Sequence, residues 1–296
     1  MWTKVFPEYL MGKVDLNDGT YWRCNLICEN KQQESIIKYD CGVFFAFKCQ
    51  TKTLKIKTHV HFNTKFNYNA GGGAGVRTRG DLQILGKVNN SWELLNEVTP
   101  KNHIMPNQCS VVEYNLFGLN YDEFQVCLPV QGRIDGYLWI ETDNKPEFII
   151  KPLSAIFLGS SVAQDSNDTT HGNICCSLYR KLGINTATLG VSRTHTLTCP
   201  ELLKMLKEKT NDQIKIIMMD MYHVSKDVLL QFKAEFKNVI YAPINSICRE
   251  DVKKLTEEFP EIEFIHIDGN GRWDEVHLNC YGTQMYINEL RKREIL

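Results

Sequence analysis

Two regimes of hydrophobic patterning divide the chain. From Ser35 to about Ile150 the apolar runs are short and two-fold. In TLKIKTHV, Leu54, Ile56 and Val60 fall on one side and Lys55, Lys57 and His59 on the other, as in a strand with one wet face. Similar runs follow in CGVFFAF, DLQIL, SVVEYNLF, EFQVCLP and GYLWIE, separated by Gly, Asn, Asp and Pro clusters with no convincing helix between them. Such a series predicts a β-sandwich. After NKPEFIIKPLS the period changes. The apolar runs AIFLG, TATLG, IKIIMMD, NVIYAP and EFIHID alternate with helix-like segments, the order of a mostly parallel sheet covered on both faces. In NICCSLYRKLG, Ile174, Leu178 and Leu182 recur at i, i+4 and i+8 before Gly183, a helix stop. Thr198 and Glu201 have capping-box spacing before LLKMLKEK, with Pro200 in the first turn, where its missing N–H costs little. The fold class is therefore α/β: a three-layer α/β/α domain over residues 152–296, preceded by an all-β sandwich domain over residues 1–151.

Composition narrows the choice of function. A length of 296 residues suits two ordinary domains, and 43% hydrophobic with 23% charged residues is the make-up of a chain that buries a sizeable core. The 34 basic residues balance 35 acidic ones, so no net field favours nucleic acid or anionic lipid. The N-terminal MWTKVFPEYLMGK lacks the apolar core of a signal peptide, and no window has the ~18 apolar residues of a membrane span. A cytoplasmic protein without membrane or nucleic-acid partners is expected. The eleven cysteines are scattered and none forms a C-x-x-C; they read mainly as reduced, buried, small apolar residues. Cys24 and Cys28 have no obvious second pair, so no metal site is expected. The run AGGGAG, Ala70 to Gly75, neither follows a clear strand nor opens a helix, and reads as a loop and not a phosphate cradle. His59 and His61 share a strand face where solvent exposure is the commoner explanation.

Two motifs carry chemistry. In an open α/β sheet, reactive groups collect where loops leave the carboxyl ends of the strands. The stretch AIFLGSSVAQD brings Gly159, Ser160 and Ser161 to that end of the first strand of the α/β unit, and Gly159 permits the sharp exit. Near the C-terminus, GRWDEVHLNCYGTQ places Asp274 three residues before His277, close enough on a turn for the carboxylate to orient the imidazole. A serine, a base and an orienter are the parts of nucleophilic catalysis; either motif alone is ordinary.

Together they resemble the SGNH hydrolase superfamily, also called GDSL esterases and lipases, whose catalytic domain is a flavodoxin-like three-layer unit. The resemblance implies that Ser161 is the nucleophile, the Gly-x-Ser pattern choosing it over Ser160, and that Asp274 and His277 complete the triad. LGSSVAQ, DEVHLNCYGTQ and the runs CGVFFAFKCQTKTLKIKTHV and GDLQILGKVNNSWELL resemble a subgroup with an N-terminal jelly-roll or β-sandwich domain, similar to carbohydrate esterases. That implies a serine esterase acting on acyl esters, acetyl above all, of a carbohydrate or related small molecule. Trp92, Trp139, Tyr21 and Trp22 are then candidate sugar-stacking groups. The chemistry needs neither metal nor nucleotide, so no cofactor is indicated, and oligomeric state is left open. A degenerate carbohydrate-binding protein and an O-acyltransferase are the alternatives on the same scaffold.

The sequence departs from the family where oxyanion donors are expected. The second block reads Ser192-Arg193 in place of Ser-Gly, and the Asn of the third block falls near His223 or Val224. Backbone N–H groups of Ser161 and Arg193 remain as donors, with His223 as a replacement for the amide. Loss of one such donor costs about 10²–10³ in rate, which implies a slower or retuned enzyme. Arg193 has two further readings, an anionic-sugar contact or a solvated surface arginine, and His223 has that of a hydrogen-bonded loop histidine.

Overall fold

The computed structural model describes residues 1–15, 18–61, 82–97, 109–116, 120–129, 132–164, 172–191, 195–211, 213–221, 224–244, 254, 257–272 and 277–296. Among these residues the strands form three sheets. One is antiparallel in the order β1 (Trp2–Lys4), β9 (Arg133–Glu141), β3 (Thr53–His61), β7 (Cys109–Asn115) and β6 (Asn96–Glu97). A second, also antiparallel, runs β10 (Glu147–Ile149), β2 (Phe44–Lys48), β8 (Glu123–Cys127), β4 (Gln83–Val88) and β5 (Ser91–Leu94). The third is parallel, in the order β12 (Asn185–Thr188), β11 (Leu153–Leu158), β13 (Lys215–Met218) and β14 (Val239–Tyr241). The helices are α1 (Lys31–Ile37), α2 (Ser161–Gln164), α3 (Ile174–Leu182), α4 (Pro200–Lys209), α5 (Lys226–Glu235) and α6 (Cys280–Lys292). None of them is long and apolar enough to cross a membrane.

The two-fold pattern acts as its chemistry dictates. Along β3, Leu54, Ile56, Thr58 and Val60 are buried and the residues between them are at least partly exposed. Leu54 and Ile56 share one apolar cluster with Phe45 and Phe47 of β2, Phe124 of β8, Val112 of β7 and Ile140 of β9, so the two antiparallel sheets bury a common face. Each such side chain contributes roughly 1.5–3 kcal/mol by leaving water. Asn89 and Asn90 join β4 to β5 in a two-residue turn at φ 50° and 62°, a backbone that asparagine tolerates and whose twist suits a hairpin. The alternate residues of β2, Phe44 and Ala46, point the other way, into a cluster with Phe157, Leu178 and Tyr179. Phe44 stacks obliquely on Tyr179 at 5.1 Å, and Tyr179 Oη donates to Glu123 at 2.6 Å, joining α3 to the antiparallel sheet.

In the parallel sheet both faces are apolar. Ile156 and Leu158 of β11 lie in a cluster with Leu202, Met205 and Leu206 of α4 and Leu229 and Phe232 of α5. Ala155 and Phe157 lie in the opposite cluster with Ile174 and Leu178 of α3 and Tyr286, Ile287 and Leu290 of α6. Parallel neighbours require a crossover, and α3, α4 and α5 supply the three between β11 and β14. The sequence EFIHID, expected to be a fifth strand, gives an isolated parallel bridge from Ile265 to Ile244. Helix α3 runs as its period predicts, capped by Asn173, which accepts from Cys175 N–H at 2.7 Å, and stopped by left-handed Gly183 at φ 67°.

Thr198 does not cap α4. Its hydroxyl donates to the His195 carbonyl at 2.8 Å and closes a 3-10 turn over Thr196–Thr198, so the helix starts one residue later, with Cys199 at the N-cap and Pro200 as its first residue. Glu201 Oε2 lies 3.4 Å from the Cys199 thiol, and its Oε1 accepts from Glu29 N–H at 2.9 Å. That contact belongs to a wider one, because Val14, Cys24, Cys28, Ile37 and Tyr39 of the N-terminal segment share the apolar cluster of α4 and α5. Part of the segment before residue 152 thus packs with the parallel sheet. Nine described cysteines besides Cys280 are thiols outside any disulfide, eight of them buried, and burial raises Cys24 and Cys199 to about 12. Run AGGGAG lies outside the described residues.

Candidate active site

The strand order places β11 between β12 and β13, so the connection leaving β11 runs toward β12 and the one leaving β13 runs toward β14, in opposite directions along the sheet. This is the switch point at which open α/β sheets form a crevice. Two segments emerge there: Gly159–Ser161 from β11, and Met219–Asp220 from β13.

The first is gripped on several sides. Val191 N–H and Thr196 N–H both donate to the Gly159 carbonyl, at 3.2 and 3.1 Å. Thr196 Oγ1 accepts from Gly159 N–H at 3.3 Å and donates to the Leu189 carbonyl at 2.7 Å. Ser160, only 3% exposed, gives its N–H to Asp220 Oδ2 at 2.8 Å. A Cβ on Gly159 would run into that carboxyl and would come within 2.7 Å of Ala163 Cβ, so the close approach requires glycine. Asp220 is itself fully buried beside His195. His195 Nδ1 accepts from Leu197 N–H at 3.1 Å, which leaves Nε2 to donate to the Asp220 carbonyl at 3.1 Å.

With Ser160 turned inward, Ser161 is the first residue of α2 and is partly exposed. His277 reaches it from the far end of the chain, its Nε2 2.9 Å from Ser161 Oγ across 116 residues of sequence. Nε2, when unprotonated, accepts the serine hydroxyl's proton at this distance. The imidazole is placed by the start of α6. Leu278 is buried and pairs antiparallel with Arg272. Asn279 caps the helix by accepting from Gly282 N–H at 2.9 Å, and its amide donates to the Asn270 carbonyl at 2.8 Å. Gly282 lies so close to the Gly271 carbonyl that no side chain fits there. Tyr286 Oη, its pKa raised by burial, donates to the Ala242 carbonyl at 2.8 Å and ties α6 to the end of β14.

The structure therefore brings Ser161 and His277 together. Asp274, Arg193 and His223 lie outside the described residues. Val224, the other position considered for the third-block donor, is an apolar side chain buried in the cluster beneath α5. Tyr21 is 4% exposed with its hydroxyl donated to the Val5 carbonyl at 2.7 Å, so it is a core residue and not a stacking platform. Asp220, His195 and Thr196, which hold the serine turn, lie outside both sequence motifs. The available signal was Asp220 itself, the acidic end of the apolar strand IKIIMMD.

The fold is similar to that of GDSL-like enzymes. A Bacteroides ovatus protein described as a GDSL-like lipase, known from a crystal structure, superposes with a TM-score of 0.73 at 17% identity, covering 99% of this chain and 97% of its own. Salicylyl-acyltransferase SsfX3 from a tetracycline biosynthetic pathway superposes with a TM-score of 0.62 at 12% identity, covering 99% and 94%. At these identities the likeness establishes the fold. No protein-family model matches the sequence, and no curated protein matches it.

Proposed function

We propose that the chain is a serine esterase with a three-layer α/β/α catalytic unit and an N-terminal β-sandwich. The observation that carries this reading is the 2.9 Å approach of His277 Nε2 to Ser161 Oγ at the sheet's switch point. The apolar face common to the two antiparallel sheets and the helices on both faces of the parallel sheet support the architecture.

In this mechanism Ser161 Oγ attacks an ester carbonyl while its proton passes to His277 Nε2, with Asp274 orienting the ring and stabilising the imidazolium. Ser161 N–H, in the first turn of α2, is the first oxyanion donor, and Arg193 and His223 complete the set. Collapse of the tetrahedral intermediate breaks the ester C–O bond, and the departing alcohol takes the proton from His277. Water, deprotonated by His277, then cleaves the acyl-enzyme. The resemblance to carbohydrate esterases makes an acetylated sugar the substrate class. Structural likeness to an acyltransferase supports a second reading, in which an alcohol replaces water in the last step.

Hydrolysis of p-nitrophenyl acetate and of a panel of acetylated sugars, by the full chain and by Ser161→Ala and His277→Ala, tests the proposal. Activity lost in both variants is expected. Addition of alcohol acceptors separates hydrolysis from transfer, because a transferase forms a new ester at the expense of free acetate. Absence of any Ser161-dependent turnover, with sugar binding intact, would favour a binding protein.

A further inference from the structure

Far along the chain from the serine, Cys24 and Cys28 have no sequence neighbours to complete a metal site, but folding supplies a second pair. Cys28 Sγ and Cys199 Sγ lie 4.0 Å apart, and Cys199 Sγ lies 3.4 Å from Glu201 Oε2. The donor atoms of Cys28, Cys199 and Glu201 all fall within 4.8 Å of one another. Both cysteines are essentially inaccessible, at 1% and 0% exposure. We infer that Cys28, Cys199 and Glu201 form a zinc site that fastens the N-terminal segment to the start of α4.

The spacing distinguishes this from a disulfide. Tetrahedral zinc with Zn–S of about 2.3 Å and Zn–O of about 2.0 Å has S···S and S···O edges of about 3.8 and 3.5 Å. The observed 4.0 and 3.4 Å match those edges to about 0.2 Å, whereas a disulfide requires the sulfurs at about 2.05 Å and leaves the carboxylate no role. The outer contacts are those that orient ligands. Glu201 Oε1 accepts from Glu29 N–H at 2.9 Å, which leaves Oε2 turned to the sulfur, and Cys28 N–H donates to Glu34 Oε2 at 3.3 Å. Cys24, whose Sγ approaches Met205 Sδ at 3.3 Å, lies in the apolar core that also contains Cys28 and Cys199. Binding exchanges protons for metal: Zn²⁺ and two thiols give a zinc bis-thiolate and two protons, with the Glu201 carboxylate completing three protein donors. The metal would join residues 28 and 199, 171 positions apart in sequence, at a point three positions from Thr196, which holds the serine turn.

Cobalt reports on such a site directly, because thiolate ligation gives a near-ultraviolet charge-transfer band and tetrahedral geometry gives intense visible bands. The full chain carrying Cys109→Ser and Cys280→Ser, which removes the two more accessible described thiols, is stripped with chelator under reducing conditions and titrated with Co²⁺ and then Zn²⁺. One equivalent of tetrahedral cobalt, displaced by one of zinc, is expected. Both bands should be lost in the added double variant Cys28→Ser/Cys199→Ser, and the affinity should fall at least tenfold in Glu201→Gln, with circular dichroism confirming a folded chain. Absence of thiolate bands in the parent, their persistence in the double variant, or recovery of a Cys28–Cys199 disulfide from the protein as purified would overturn the inference. The parent titration decides even if the double variant fails to fold.

Discussion

Asp220→Ala tests how the serine is aimed. Asp220 Oδ2 is the acceptor for Ser160 N–H at 2.8 Å, inside a turn where Ser160 is 3% exposed and Asp220 fully buried. Truncation strands a buried donor, which costs about 1–3 kcal/mol of stability. It also frees one side of the turn carrying Ser161, while Thr196 still holds Gly159 on the other. A displacement of about 1 Å at a nucleophile costs roughly 10²-fold in rate, or about 2.7 kcal/mol of barrier. His195 keeps the 3.1 Å donation of its Nε2 to the backbone carbonyl of residue 220 and loses the longer 3.8 Å approach to Asp220 Oδ1. The assays are urea unfolding and p-nitrophenyl acetate hydrolysis. A fall of roughly 10² in kcat with little change in KM is expected for Asp220→Ala, and substantial recovery for Asp220→Asn, which keeps an oxygen for Ser160 N–H. Wild-type activity and stability in the alanine variant would refute the reasoning, as would equal damage from both substitutions.

Gly282→Ala should cost about 1–3 kcal/mol through overpacking, because its methyl meets the Gly271 carbonyl. The same shift at the start of α6 moves His277, so hydrolysis should fall with the urea midpoint; a variant unchanged in both would count against the packing argument. Asp40 is fully buried, its Oδ2 accepts from Ile134 N–H at 2.7 Å, and burial raises its pKa well above the usual carboxylate range. The folded chain thus holds that proton more tightly than the unfolded one, so the contribution of Asp40 to stability is fullest below about pH 4 and declines as pH rises toward the raised value. Asp40→Asn should lessen this decline relative to wild type in urea midpoints measured across that window, and an identical pH slope in the two proteins would contradict it.

Much of the fold was legible because burial imposes a period. Leu54, Ile56 and Val60 are buried on β3, and Ile174, Leu178 and Leu182 lie along one helix, with Gly183 at its end. Misread features depended on which partner the folded chain supplies. Thr198 and Glu201 have the spacing of a capping box, yet Thr198 turns back to the His195 carbonyl in a competing 3-10 turn, and Glu201 accepts from Glu29, 172 positions away, a contact that no local window reveals. EFIHID has the hydropathy of a strand, but only Ile265 pairs. At the site, Ser161 and His277 could be singled out because their motifs are local. Asp220, His195 and Thr196 could not, since each acts by bracing a turn 37 to 60 residues away or a neighbour 25 residues away.

The central claim is that Ser161 is a nucleophile activated by His277. Reaction of the full chain with a fluorophosphonate probe, followed by mass spectrometric mapping of the adduct, tests it most directly. A single adduct on Ser161, absent from Ser161→Ala and greatly slowed in His277→Ala, is the expected result. An unlabelled wild-type protein, or an adduct on another residue with ester hydrolysis intact in Ser161→Ala, would contradict it.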